Sequence, residues 1–394
     1  MFIALGIGGG IAAYKACEVV RGLDRAGAEV QVLLTRNATN FITPLTLQTL
    51  SRRKALVEQF DLSTIETIQH VELTRRIDAL VVAPATANLV AKFAGGVADD
   101  LLSTFYTAVT QPVVMAPTMN TRMWLHPATQ ANVATLQGRG VTIVGPDAGW
   151  LAEGESGWGR MAEPDEIVRA TLVAAHRSRQ LDGRTVLITA GPTHEPVDPV
   201  RYLGNRSSGK MGYALAAAAR RRGARVVLVS GPVSIAPPWG VELERVETAA
   251  EMRQAVLAAR SGADAVFMAA AVADHAPVPA ASKIKKSDVA MTLTLERGPD
   301  ILRELGESKG DTLLIGFAAE TEDLLSNARK KLEAKNLDFI VANDVSRPDR
   351  GMSSDHNAVT ILDRDGGAVE VPRALKGEVA ERILDRAFGE DTEG

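Results

Sequence analysis

One cysteine, Cys17, stands among 394 residues, so no internal disulfide can form and a reducing compartment such as the cytoplasm is expected. Histidine is nearly as scarce: the six residues are scattered, with no spacing that a zinc site requires. There is no excess of positive charge either. A net charge of -4 gives no reason to expect nucleic acid or an anionic membrane as partner. No apolar run reaches the length of a membrane span. The opening MFIALGIGGG has no basic flank and leads straight into a strand pattern, so it does not read as a signal peptide. What is present is ordinary: 46% apolar and 23% charged residues suit a globular protein, and the length suits two or three domains.

Short runs rich in Val, Ile and Leu alternate with helical patterns, which predicts parallel sheets covered on both faces. In the N-terminal half, strands are expected at Phe2–Leu5, Glu29–Leu34, Ala79–Val82, Pro112–Ala116 and Val141–Val144, with a first helix over Ile11–Ala26. The pattern restarts at Thr185–Ile188, followed by a helix to Arg222 and strands at Arg225–Val229, Ala265–Met268, Leu313–Phe317 and Phe339–Ala342. Ala358–Leu362 and Ala368–Val371 alternate like a hairpin about Asp365-Gly366-Gly367. In both halves the first helix runs into a glycine, Gly27 or Gly223, where a left-handed cap fits. The polar segment HRSRQLDGR has no apolar period. The expected organisation is therefore two doubly wound, Rossmann-like α/β domains, 1–175 and 185–394, with a linker over 176–184 and an acidic, frayed C-terminus.

The stretch Thr189–Tyr213 organises the second half. It is a long loop between a strand and a helix, where an open α/β sheet places ligands, and its Gly, Ser, Asn and Lys residues can offer donors to an anion. Gly204-x4-Gly209-Lys210 falls short of a P-loop. Met211 stands where a magnesium-binding hydroxyl is needed, and the Gly-Lys pair comes too late after the strand. In the first half, the loops after the strands carry glycines, hydroxyls and carboxamides and almost no charge. Gly8-Gly9-Gly10 opening a helix suits a phosphate, with Thr35 as a second donor. Thr35 also stands where a dinucleotide site needs an acid for the ribose, so a mononucleotide is expected rather than a nicotinamide dinucleotide.

GGGIAAYK, FITPLTLQTLS, PATANL, GGVADDLLS, APTMNTRMW and HPATQAN resemble the flavin-dependent cysteine decarboxylases of the phosphopantothenoylcysteine type. TAGPTHEPVDPVRYLGNRSSGKMG, AAAVAD, KIKK, GFAAET and ANDV resemble phosphopantothenate–cysteine ligases. Together, in this order and over nearly the whole chain, they resemble the fused bifunctional proteins of bacterial coenzyme A biosynthesis. That resemblance implies a two-step path. The C-terminal domain activates 4'-phosphopantothenate with CTP and Mg2+ as an acyl-cytidylate, which cysteine converts to an amide. The N-terminal domain uses FMN to oxidise the cysteinyl thiol, lets CO2 leave, and returns the electrons to give 4'-phosphopantetheine. The resemblance also implies trimers of the first domain and dimers of the second, joined as a dodecamer, with small molecules as the other partners.

Carried over by motif, the resemblance implies FMN contacts at Gly9, Gly10, Ile11, Thr35, Thr86, Ala87, Asn88, Leu89 and Ala116. His70 matches the catalytic histidine, and a neutral imidazole can accept the thiol proton. Asn120 matches the residue that holds the substrate carboxylate. For CTP the matching positions are Met268, Ala269, Ala270, Asp274, Lys283, Gly298, Pro299, Phe317, Lys331 and Lys335. Asp274 can meet the nucleotide or its metal, Lys283 takes part in activation, and Phe317 packs on the base. Asn205 matches the residue that holds the acyl-cytidylate, and Arg201 suits a substrate carboxylate or phosphate. As a bare charge run, KIKK reads as a solvated loop.

One departure concerns chemistry. The family's lid carries a cysteine that donates a proton to the enethiol, in a pattern like ACGxxGxGRM. Here the segment is AEGESGWGRM, and Glu153 stands in the cysteine's place. An exposed glutamate, with a pKa of about 4.3, is mostly ionised at neutral pH; a lid closed by Trp150 or Trp158 would raise it. Two expectations follow: Glu153 serves as the acid, or an active ligase is fused to a flavin-binding domain of incomplete or regulatory activity.

Overall fold

The computed structural model describes residues 1–59, 69–176, 178–285, 291–320, 323–344 and 353–390, with the backbone alone for 69–71, 320 and 344. The chain forms two compact units, Met1–Arg177 and Ser178–Gly394.

In the first unit, strands β1 (Phe2–Ile7), β2 (Glu29–Leu34), β3 (Ala79–Ala85), β4 (Val113–Pro117) and β5 (Thr142–Ile143) make a parallel sheet in the order β2-β1-β3-β4-β5. Every residue of β3 is buried, which is why these strands read as continuous apolar runs rather than alternating ones. The order reverses between β1 and β3, so the loops after these two strands diverge and leave a crevice at their C-terminal ends. The helix expected over 11–26 begins as a 3-10 turn, Ile11–Lys15, before the α-helix Ala16–Arg25. A hairpin, β6 (Asp147–Trp150) and β7 (Ser156–Arg160), follows the sheet.

The second unit holds β8 (Thr185–Ala190), β9 (His194–Pro196), β10 (Tyr202–Gly204), β11 (Arg225–Ser230), β12 (Glu242–Arg245), β13 (Ala265–Met268), β14 (His275–Pro277) and β15 (Leu295–Arg297). Strands β16 (Leu313–Glu320), β17 (Phe339–Asp344), β18 (His356–Asp363) and β19 (Ala368–Leu375) complete it. Its main sheet runs β12-β11-β8-β13-β16-β17-β18-β19, parallel up to β17 and antiparallel beyond. The expected C-terminal hairpin forms and extends this sheet. Here the order reverses between β8 and β13. Two small antiparallel ribbons, β9–β10 and β14–β15, stand beside that point. Their three-residue strands are too short to show a period in sequence.

Gly27 and Gly223 follow their helices with φ of 81° and 95°, the left-handed conformation that ends a helix without strain. The stretch read as a linker is partly docked. Leu181 is buried in the second core and donates its N–H to Arg222 O at 2.8 Å, and the buried Arg222 is held by Gln180, Glu381 and Asp385. One leucine in a polar segment carries no period, so the sequence does not reveal it. Residues 391–394, expected to fray, lie outside the described residues.

Candidate functional sites, one in each unit

At the β1/β3 crevice a cavity of about 850 Å³ opens. Gly9, Gly10, Thr35, Thr86, Ala87, Asn88 and Leu89 all line it, as do Asn37, Thr118 and Met119. Three helical starts meet here: Ile11–Lys15 after Gly10, Arg36–Asn40 after Thr35, and Ala87–Gly95 after Thr86. Their first N–H groups lack intrahelical acceptors and make a ready anion site. Gly8 and Gly9 are sterically required. A Cβ on Gly9 would lie 2.4 Å from Asn37 Cβ, and one on Gly8 2.6 Å from Pro84 O. Gly8 N–H also donates to Pro84 O at 2.9 Å, tying the two crevice loops together.

Some expected roles change. Thr35 uses its hydroxyl locally, accepting from Ala38 N at 3.2 Å and donating to Ile7 O at 3.3 Å, so it shapes the cavity as a helix cap instead of offering a free donor. Ile11 is exposed and Ala116 fully buried, and neither lines the cavity. The rim also carries more charge than the strand-end loops alone suggest, but it is internally paired. Arg36 meets Glu58 at 3.0 Å, and Lys92 meets Asp99 and Asp100 at 2.5 and 2.7 Å. His70 falls in the helix Gln69–Arg76, with its side chain outside the described residues.

Asn120 caps the short helix Thr121–Trp124, its Oδ1 accepting from Arg122 N at 2.8 Å. The β6–β7 hairpin packs on the same loop: Met119 N–H donates to Gly159 O at 3.0 Å, and a Cβ on Gly157 would lie 2.3 Å from Thr121 Oγ1. Glu153 is exposed at the hairpin tip. Neither tryptophan covers it, since Trp150 is 73% and Trp158 53% exposed. A lid closed by either tryptophan, the condition that would raise the Glu153 pKa, is not formed in this structure.

In the second unit a cavity of about 350 Å³ lies at the β8/β13 crevice. Met268, Ala269 and Ala270 follow β13 into it, and Asp274, Pro299, Phe317, Lys331, Lys335 and Asn205 share its wall. Thr189 Oγ1 accepts from Ala270 N at 3.1 Å, and Asn205 Nδ2 donates to Ala271 O at 2.8 Å, so the two crevice loops hold each other. Gly298 is just behind the wall, its N–H on Asp274 O at 2.8 Å. Lys335 pairs with Asp300 at 2.8 Å.

Lys283 is exposed and stands off the wall, while Lys286 is outside the described residues. The loop carrying Lys283 is anchored nonetheless. Asp198 Oδ2 accepts from Ile284 N at 3.1 Å, and Arg201 donates to Ile284 O at 2.8 Å. Arg201 and Asp198 also pair at 2.5 Å, and the arginine's hydrogen bonds hold the Asp198 carboxyl far below the usual carboxylate range. Arg201 is thus engaged with Asp198 rather than open to a substrate anion; an acid three residues before it was the legible sign.

Sequence reasoning missed Lys376 and Asn357, both buried and both on the cavity wall, and passed over Lys210. Burial pushes the Lys376 amine down to about 8, with Lys210 acting in the same direction and Asp355 opposing. Its signal was local. Lys376 begins the helix Lys376–Phe388, where the helix dipole disfavours a cation. Among the described residues no helix is long and apolar enough to cross a membrane.

Residues 1–176 match the flavoprotein family model, and residues 181–389 match the C-terminal domain of the DNA/pantothenate metabolism flavoproteins. The coenzyme A biosynthesis bifunctional protein CoaBC of Bacillus subtilis is 47% identical over 97% of this chain and 95% of its own length. That of Vibrio parahaemolyticus is 45% identical over 97% of this chain and 98% of its own. A crystal structure of the C-terminal domain of such a protein shares 45% identity, covering 53% of this chain and 96% of that one, with a TM-score of 0.46. Two matched halves in one order, and identity sustained along the full length, place the chain in the family of bifunctional coenzyme A biosynthesis enzymes, whose members join a flavoprotein decarboxylase to a ligase.

Proposed function

We propose that the second unit joins cysteine to 4'-phosphopantothenate at the expense of CTP, and that the first decarboxylates the product to 4'-phosphopantetheine with FMN. The observation that carries this reading is the placement of the motif residues. Seven of the nine positions matched to FMN line one switch-point cavity, and eight of the ten matched to CTP line the other.

In the ligase unit, the substrate carboxylate attacks the α-phosphorus of CTP and pyrophosphate leaves. The cysteine amine then displaces CMP. Lys331 and Lys335 bring positive charge to the cavity, and the long Lys283 side chain reaches in from its anchored loop to meet the charge that builds on phosphorus. Asp274, on the cavity wall, would be the carboxylate that meets the metal. Mg2+ is commonly held by one or two carboxylates together with substrate phosphates, and a single acid suits that mode. Asn205 is fixed by Ala271 with its carbonyl oxygen left to accept from the acyl-nucleotide or the incoming amine.

In the decarboxylase unit, the bare glycines, the crowding of Gly9 on Asn37 and the three helical starts fit the phosphate end of FMN. Gly9, Gly10 and Thr86–Leu89 would hold it. FMN, when bound, supplies the two-electron oxidation and the later return of electrons. Asn120 holds the substrate carboxylate, and His70 accepts the thiol proton. Glu153 supplies the final proton once its hairpin folds over the site.

The exposed Trp150, Trp158, Met123 and Leu125 support self-association of the first unit, in the trimer-and-dimer dodecamer of the family; a monomer in analytical ultracentrifugation would contradict this. One incubation with 4'-phosphopantothenate, cysteine, CTP and Mg2+, read by mass spectrometry, tests the chemistry. Appearance of 4'-phosphopantetheine is expected. A product two hydrogens lighter would show that the last protonation fails, which is the second reading, favoured by the exposure of Glu153. Full turnover by Glu153→Gln would remove Glu153 as the acid. No CTP-dependent product at all would overturn the assignment.

A further inference from the structure

Asp274 is exposed, and its carboxylate makes no hydrogen bond or ion pair among the described residues. Its place on the cavity wall is therefore set by main chain. On one side Asp274 O accepts from Gly298 N at 2.8 Å. On the other, the N–H of the preceding residue, Ala273, donates to Thr193 Oγ1 at 3.0 Å.

That bond is the last rung of a ladder. The parallel pairing of β8 with β13 ends at Thr189 and Met268, yet the loops beyond stay together. Thr189 Oγ1 accepts from Ala270 N at 3.1 Å, Gly191 O from Ala271 N at 2.8 Å, and Ala271 O from Thr193 N at 3.3 Å. Pro192 and Ala271 form an isolated parallel bridge between the same loops. Two of the acceptors in this extension are threonine hydroxyls, standing where a strand would supply carbonyls. Without them the N–H groups of Ala270 and Ala273 would lose their partners.

Thr193 is itself firmly held. Its side chain is fully buried and branched at Cβ, which leaves few rotamers. The two residues after it are clamped to a third segment. His194 N–H donates to Glu247 O at 2.8 Å, and the buried Glu195 accepts from Ala249 N at 2.9 Å, at the start of the helix Ala249–Ala259. Thr193 stands behind the cavity wall and not on it.

We propose that Thr193 is the positioning residue for Asp274: its hydroxyl fixes the main chain that presents this otherwise unsupported carboxylate to the bound ligand. The group that the carboxylate meets is electropositive, either Mg2+ carried by the triphosphate or a hydroxyl or amine of the nucleotide itself. The inference deepens the ligase reading and rests on it for the ligand.

The experiment uses the full-length protein and isothermal titration with CTP, once in Mg2+ and once in EDTA. The variants are Thr193→Val, which keeps the shape and removes the acceptor, Thr193→Ser, which keeps the acceptor, Asp274→Asn, and the double variant of Thr193→Val with Asp274→Asn. Thr193→Val is expected to weaken CTP by ~10- to 100-fold, the usual cost of losing a group that orients a ligand-binding side chain. Thr193→Ser is expected to restore the affinity. In the Asp274→Asn background Thr193→Val adds no further loss, because the carboxylate it positions is gone. A loss confined to the Mg2+ titration identifies the metal as the partner of Asp274; an equal loss in EDTA identifies the nucleotide.

A merely structural threonine gives another pattern: Thr193→Val lowers the melting temperature, while the folded protein binds CTP as before. That result overturns the proposal, as does a loss that Thr193→Val repeats in full on the Asp274→Asn background. Should Thr193→Val not fold, Thr193→Ala passes through the same cycle with the same two outcomes. Failure of the ligase reading looks different. Wild-type protein would then ignore CTP in both buffers, and the proposal would fall with that reading.

Discussion

The two cavities occupy equivalent places, each at the point where a doubly wound sheet reverses its strand order, yet they attract anions by different means. In the first unit the charged groups at the rim are already paired, Arg36 with Glu58 and Lys92 with Asp99 and Asp100. What remains for a ligand is neutral: bare glycines, carboxamides and the N–H groups of three helical starts. In the second, four lysines reach the wall, two of them in ion pairs of their own, Lys335 with Asp300 and Lys210 with Asp355, so the wall itself carries charge. Fixed dipoles shape a close-fitting site for a ligand that stays. Charged ammonium groups suit ligands whose charge changes during a reaction and which then leave.

The comparison can be broken most directly at Lys283. Lys283→Met is expected to slow acyl-cytidylate formation by ~100- to 1000-fold, measured as pyrophosphate release, while decarboxylation of supplied 4'-phosphopantothenoylcysteine is unchanged. Equal loss in both units would mean that they do not act independently. Next in size is Asp198→Ala, which frees the backbone of Ile284. Misplacing the lysine loop should cost the ligase on the order of 10- to 100-fold, mainly in kcat, with the flavin content of the protein unaltered.

In the first unit the sharper tool is Gly10→Ala. The nearest atom to a Cβ there is Thr86 Cγ2 at 3.6 Å, so the methyl fits the apo fold and protrudes into the cradle. Flavin per protein, read from the visible spectrum, should fall with little change in melting temperature. Retained flavin would show that the cradle does not take the phosphate.

The smallest effect concerns pH. The folded-state pKa of Lys376 is lowered, to about 8 from the ordinary 10.5. Between these values the unfolded chain binds more protons than the folded one, so the lysine's contribution makes stability rise with pH across that window. The penalty is fully present below pH 8. Denaturant titrations of wild type and Lys376→Met from pH 7 to 10.5 should therefore converge at the alkaline end. The charges of Lys210 and Asp355 both act on this amine, so the Lys210→Met protein serves as the control.

What the sequence made legible was what is local. Strand positions, both glycine-ended helices and the Gly9–Gly10 cradle could be read because short-range periodicity and turn chemistry set them. Lys376 could not be read as a site residue by proximity, being far along the chain from Asn205 and Asp274. It reaches them only because β18 and β19 carry the chain back along the sheet. Arg201 was misread for the opposite reason, since a distant ligand was considered before the acid three residues away. The ribbons β9–β10 and β14–β15 escaped because three residues define no period.

The hold on Ile284 has a consequence for which residues the loop can carry. Asp198 takes its N–H and Arg201 takes its carbonyl, so two side chains do what a neighbouring strand does in a sheet. They read main chain alone. These two bonds are therefore indifferent to the side chain at position 284, proline excepted, and hold the main chain beside Lys283 whichever residue stands there. The constraint has moved from the loop to a pair of residues some eighty positions earlier, where a single substitution in either partner would unfasten it.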